Sequence, residues 1–253
     1  MFEVRSAILS LMVFVLTSIN VSHAQSDNIG KGDAFADDKT ITLALLEFPP
    51  HSYTRAGSME CIGYAVEATR FIFAKHGFSL TAICAPAIRV YRMLETGEID
   101  LTINIKSTRL LQDSVDFFDP AYGQLELIMI SHADRGFENM VSAIRGFDYH
   151  GQRQALEKQG YTFQDTPGSI DAINIFMRER TRHLITYKAP FKFYLESNGF
   201  TLLGEVTVKS LAKLKTYYAI SKNSKHYRKI MQALKQEAKQ LKTERFEELL
   251  PFL

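Results

Sequence analysis

A chain of 253 residues has room for one large domain or two small ones. Its 46% hydrophobic and 23% charged residues are typical of a globular protein, which excludes disordered, collagen-like and disulfide-dense miniprotein classes. Lys+Arg 30 against Asp+Glu 28 leaves a net charge of +2, too balanced to attract nucleic acid, so no nucleic-acid partner is expected. Two cysteines cannot form a Cys-rich zinc site, and no metal or other cofactor is indicated.

Residues 1–24 read as an export signal. Arg5 precedes an apolar run from Ala7 to Ile19, and Ser22-His23-Ala24 places small residues three and one before a cut ahead of Gln25. The run is shorter than the roughly 20 residues of a membrane span, and no cysteine follows it for a lipid anchor. An oxidising compartment would favour pairing Cys61 with Cys84, which lie 23 residues apart; two buried free thiols are the alternative.

Residues 25–39 form a polar, flexible leader. Thr40–Leu46 is an apolar strand ended by Pro49-Pro50. A helix over 63–76, a strand over 78–84, a helix over 89–96 stopped by Gly97 and a strand over 99–103 follow. This alternation predicts a parallel sheet with crossover helices. The order then restarts. A strand over 125–131, a short helix over 140–145, a strand over 147–150 and, after Gly151, a helix through Gln159 are expected. They precede a strand-like Phe163, a helix over 169–180, a strand over 183–187 and a helix over 191–197. A return strand covers 216–220, and an amphipathic helix starts at Tyr227 and runs to about Leu249. The stretch 209–248 carries 11 Lys/Arg against 4 Asp/Glu, read as a solvated face or a basic patch for a membrane or partner.

Five short stretches resemble bacterial extracellular solute-binding proteins of family 3, the periplasmic receptors that feed ABC importers of polar amino acids. They are Phe48-Pro49-Pro50-His51-Ser52-Tyr53, Gly63-Tyr64-Ala65-Val66-Glu67, Arg89 with Leu94-Glu95-Thr96-Gly97-Glu98-Ile99-Asp100, Val115-Asp116-Phe117-Phe118-Asp119-Pro120-Ala121-Tyr122, and Tyr217-Tyr218-Ala219-Ile220-Ser221-Lys222. Each is weak alone; their order behind an export signal carries the resemblance, which is good over 40–125 and otherwise one of pattern.

The resemblance implies an α/β, two-lobed, type II periplasmic-binding-protein-like fold, each lobe a mainly parallel sheet flanked by helices. Residues 40–125 plus 213–253 would form one lobe and 126–212 the other, with a ligand cleft between. It implies a monomeric periplasmic receptor that closes on a small polar ligand and delivers it to a membrane permease. A ligand sensor docked on a membrane signalling protein uses the same cleft and is the alternative. A lyase or dehydratase on this fold is a third reading, but nucleophilic catalysis would need a Ser or Cys with an oriented His, and the seven His are scattered with no H-E-x-x-H pair, so no enzyme activity is expected.

The candidate ligand residues lie on the loops after the strands. After the first strand, Phe48 is either a lip residue or core, and Tyr53 offers a ring and a hydroxyl. After the third come Asn104, Ser107, Thr108 and Arg109. Counted back from Val115-Asp116-Phe117, Thr108 falls on the family threonine but Leu111 occupies the arginine position. Arg109 fills that role only if the loop shifts by two residues; otherwise it is a surface arginine. Arg89 matches an arginine of the second helix that is often structural, and Tyr122 is expected near the hinge. The second lobe offers Tyr149, Gly151 and Tyr187. No aspartate stands near Tyr187 for a ligand ammonium, and Lys188 there favours an acidic or neutral ligand over a standard amino acid, unless it is merely solvated.

Overall fold

The computed structural model describes residues 39–134, 136–200, 206–241 and 245–249. The export signal and nearly all of the leader lie outside these residues. The order opens with β1 (Thr40–Leu45), β2 (Tyr53–Thr54), β3 (Cys61–Ile62), α1 (Tyr64–Ala74), β4 (Ser79–Cys84), α2 (Ala87–Thr96), β5 (Leu101–Asn104) and β6 (Val115–Phe117). It continues with β7 (Gly123–His132), β8 (Met140–Ile144), α3 (Gln152–Glu157), β9 (Thr162–Thr166), α4 (Ser169–Met177), β10 (His183–Tyr187), α5 (Lys188–Asn198), β11 (Val206–Ser221) and α6 (Tyr227–Gln240).

The main sheet runs β4-β1-β5-β11-β7-β10-β8-β9, with β6 beside β11. β4, β1 and β5 pair in parallel in the first half, and β10, β8 and β9 in the second. β7 and β11 cross between the halves as one antiparallel ladder, Gly123 opposite Thr216 at one end and His132 opposite Val206 at the other. β11 spans both halves: its last residues pair with β5 and β6, and the rest with β7.

Both faces of the sheet are covered, as parallel strands require. On β1, Ile41, Leu43 and Leu45 face α1 and α6, while Ala44 faces α2 and packs with Val90, Met93 and Leu94. On β7, Leu127 and Met129 join one core and Ile128 and Ile130 the other, the period of two that a strand imposes. Asp100 of the Gly-x-Ile-Asp stretch is buried and structural. Its carboxylate accepts the Thr42 amide at 2.7 Å and the Ser224 hydroxyl, tying β1 to the turn before α6.

Four expectations are corrected. Met140–Arg145 is no helix; Met140–Ile144 is β8, paired with β9 and β10, and Val141 through Ile144 are buried on both faces, so the run has no helical period. Phe147–His150 is a turn, because Tyr149 and His150 adopt φ of 51° and 57°. The return strand is much longer than 216–220. The last helix ends at Gln240, not near Leu249, and Phe246 in the following 3-10 turn is fully buried against Phe118 and Tyr218. Backbone bonds from Phe246 to Ala121 and from Glu247 to Tyr122 hold that turn at the start of the crossing strands.

Cys61 and Cys84 form a disulfide that fastens the β2–β3 hairpin to the edge strand β4. Among the described residues no helix is long and apolar enough to cross a membrane. Closing a 23-residue loop is worth roughly 3 kcal/mol. The Cys61→Ser, Cys84→Ser double variant is expected to melt about 6–12 °C lower than wild type in a calorimeter; equal melting temperatures would show that the bridge leaves stability untouched.

Candidate functional site

The loops at the carboxyl ends of the parallel strands converge on a cleft of about 1140 Å³ lined from both halves of the sheet. The first half contributes the loop after β1. There Phe48 accepts backbone bonds from His51 and Ser52, and the carbonyls of Pro50 and His51 receive the amides of Tyr64 and Ala65 that open α1. Gly63 makes this docking possible: at φ 128° a Cβ would stand 2.5 Å from the His51 carbonyl oxygen. Phe48 and His51 are thereby presented to the cleft. Burial holds the His51 pKa below the usual value, so the ring is neutral at neutral pH.

The loop after β5 supplies a polar group organised before any ligand arrives. The Asn104 amide donates to the Tyr91 hydroxyl at 3.3 Å, and its carbonyl accepts from Thr108 Oγ1 and the Ile105 amide, both at 2.8 Å. Tyr91 thus accepts from Asn104 and keeps its own proton as a free donor at the cleft wall. Lys106 steadies the loop from outside, 2.7 Å from Asp119 and 4.2 Å from the Tyr217 ring. Ser107, Thr108 and Arg109 all line the cleft, and Arg109 has no ion pair among the described residues.

The second half contributes the turn from Arg145 to Gly151, pinned by three side chains. Arg153 donates to the carbonyls of Phe147 at 2.8 Å and Ile144 at 3.1 Å, pairs with Asp165 at 2.6 Å and lies over the Phe163 ring. Asp148 accepts the Gly151 amide at 2.7 Å, and the Tyr149 hydroxyl accepts the Ile144 amide at 2.6 Å. Gly151, at φ 81°, lets the chain turn into α3. Burial raises the pKa of Tyr91, Tyr149 and Tyr187, so all three phenols stay protonated at neutral pH.

Of the candidate ligand residues, Asn104, Ser107, Thr108, Arg109, Tyr122, Tyr149, Gly151 and Tyr187 all line this cleft. Tyr122 is buried beside Tyr218, where the crossing strands begin. Phe48 is a lip residue, its ring 5.0 Å from that of Tyr187 on the opposite half. Two candidates lie elsewhere. Tyr53 follows the cleft-lining Ser52, so strand alternation turns it away, and its ring sits 5.5 Å from Phe193 of α5. Arg89 falls off the Ala87, Ile88 and Tyr91 stripe that α2 turns to the cleft and is exposed. Lys188 lies outside the lining and pairs with Glu126 at 2.9 Å, so it says nothing about ligand charge.

Sequence reasoning passed over Tyr91, Arg145 and Phe147. The i, i+3, i+4 spacing of Ala87, Ile88 and Tyr91 was the available signal for Tyr91. Arg145 and Phe147 flank the end of a run that the sequence suggests is a helix and that is β8, so the turn carrying them is not visible in the sequence pattern.

A sheet of this order, with two crossing strands and a cleft lined from both sides, defines a two-lobed type II periplasmic-binding-protein-like fold. Three solved structures share it at low identity. The arginine-, lysine-, histidine-binding protein ArtJ from Geobacillus stearothermophilus is 18% identical with a TM-score of 0.61, covering 80% of this chain and 90% of that one. An ABC uptake transporter substrate-binding protein from Streptococcus pneumoniae with bound histidine is 16% identical, TM-score 0.63, with 80% and 88% covered. A histidine kinase sensor domain with similarity to periplasmic binding proteins is 17% identical, TM-score 0.65, with 80% and 91% covered. No protein-family model and no curated protein matches the chain by sequence.

Arg153 is a positioning residue for the second-lobe turn. Arg153→Ala is expected to cost roughly 1–3 kcal/mol, and proteolysis within 144–151 should quicken. Unchanged melting and cleavage would show that the turn holds without it.

Proposed function

We propose that this protein is an exported solute receptor, periplasmic after cleavage near Ala24, whose two lobes close over one small polar ligand. We take residues 40–125 plus 213–253 as one lobe and 126–212 as the other. The observation that carries the reading is a single cleft lined from both halves, with Phe48 of one facing Tyr187 of the other. Hinge closure over a ligand follows naturally when two strands are the main connection. Asn104, Ser107, Thr108, Arg109, Tyr122, Tyr149, Gly151 and Tyr187 would contact the ligand. The solved amino-acid-binding proteins of this fold support a receptor that passes its ligand to the permease of an ABC importer. A monomer suffices, because the cleft lies within one chain.

A second reading, a ligand sensor docked on a membrane signalling protein, is favoured by the histidine kinase sensor domain among the structures of this fold. Both readings make the protein a binder that leaves its ligand chemically unchanged.

A thermal-shift screen of the mature protein against amino acids, organic acids, polyamines and short peptides tests this function. A true ligand at one hundred times its Kd adds about 2.7 kcal/mol, a rise of roughly 5–11 °C, and mass spectrometry should recover it intact. If no compound moves the melting curve and no small molecule co-purifies, the receptor reading fails; turnover of the compound would replace it with an enzyme.

A further inference from the structure

The charge of the cleft points to a ligand unlike those of the arginine-, lysine- and histidine-binding structures. Arg109 on the first lobe and Arg145 on the second both line it, both are exposed, and neither has an ion pair or side-chain hydrogen bond among the described residues. The third arginine of the lining, Arg153, is committed to Asp165 and two backbone carbonyls. The lining carboxylates are placed otherwise. Asp148 caps the Gly151 amide, Glu247 pairs with Arg245 at 3.1 Å beside the hinge, and Glu157 is exposed on α3. His51, held neutral by burial, adds no charge of either sign.

The walls are aromatic. Phe48, Tyr91, Tyr122, Phe147, Tyr149 and Tyr187 line the same cleft, and rings of this kind stack on a planar body. A guanidinium grips a carboxylate through two parallel charge-assisted bonds. An ammonium group entering here would meet two arginines without ion pairs among the described residues, whereas the unpaired carboxylate of the lining, Glu157, stands exposed on α3.

Resting on the receptor reading, we propose that the ligand is an aromatic carboxylic acid without an ammonium group, its ring among the cleft tyrosines and its carboxylate held by Arg109 and Arg145 from opposite lobes. Attraction from both lobes makes the anion itself the link that favours closure, since it gains its second guanidinium only when the lobes approach.

The test titrates the mature protein with benzoate, 4-hydroxybenzoate, phenylacetate and phthalate by calorimetry. Benzamidine and L-phenylalanine serve as ring-matched probes carrying a cation, and L-arginine and L-histidine as further controls. The aromatic acids are expected to bind and the cation-bearing probes to be at least tenfold weaker. Arg109→Gln and Arg145→Gln should each weaken an aromatic acid at least tenfold while leaving the ligand-free melting temperature unchanged, because both side chains are exposed. If L-arginine or L-histidine binds and the acids do not, the receptor reading stands and this inference falls. If the acids bind equally well to Arg145→Gln, the two-lobe grip is overturned. If none of these binds but another solute does, the ligand class is wrong; if no solute of any class binds, the receptor reading falls with it.

Discussion

The antiparallel ladder of β7 and β11 is the constraint on which the rest of the molecule depends. The ladder continues both halves of the sheet, so the parallel cores of the two lobes are bridged by two adjacent strands. At about 3.3 Å per residue the 16 residues of β11 reach roughly 50 Å, enough to pair with β7 along most of its length and with β5 and β6 at its end. Two strands resist stretching far more than bending. On the proposed reading, bending of these strands opens and closes the cleft, and contacts between its lips bias that motion. Those contacts are aromatic: Phe48 on Tyr187 inside the cleft and Tyr53 on Phe193 beside it.

The site follows from that frame. Each lobe presents a short turn whose geometry is set by its own hydrogen bonds before a ligand arrives. On the first lobe Asn104 holds Tyr91 and Thr108 together, and on the second Arg153 holds the carbonyls of Ile144 and Phe147. Ordering these turns in advance lowers the entropy lost on binding. On the proposed reading, the separation between the two turns is the coordinate that a ligand touching both would shift.

Much of the first lobe was legible because its elements are written in local patterns. Pro49-Pro50 ends β1, Gly97 ends α2, and the polar residues after β5 fall at the cleft because strand ends do. The second lobe was less so. Met140–Ile144 is buried on both faces, so it carries neither the period of two nor that of 3.6, and its strand character comes from β9 and β10. With that strand misread, Arg145 and Phe147 had no place in the argument. Tyr53 shows the opposite failure: the motif marked the right loop, but alternation about Ser52 turned the side chain toward Phe193. Lys188 seemed to speak about ligand charge, and only its long-range pair with Glu126 shows that it does not.

Spin labels at exposed Glu95 on α2 and Arg180 after α4 allow the interlobe distance to be measured by electron–electron double resonance, with no ligand needed. If the aromatic lips bias a hinge formed by β7 and β11, the parent protein gives a short, narrow distribution, and a Phe48→Ala, Tyr53→Ala variant gives a longer and broader one with its fold intact. Superimposable distributions in the two proteins would contradict the account, because lobes that ignore these aromatic lip contacts are not moving about that ladder.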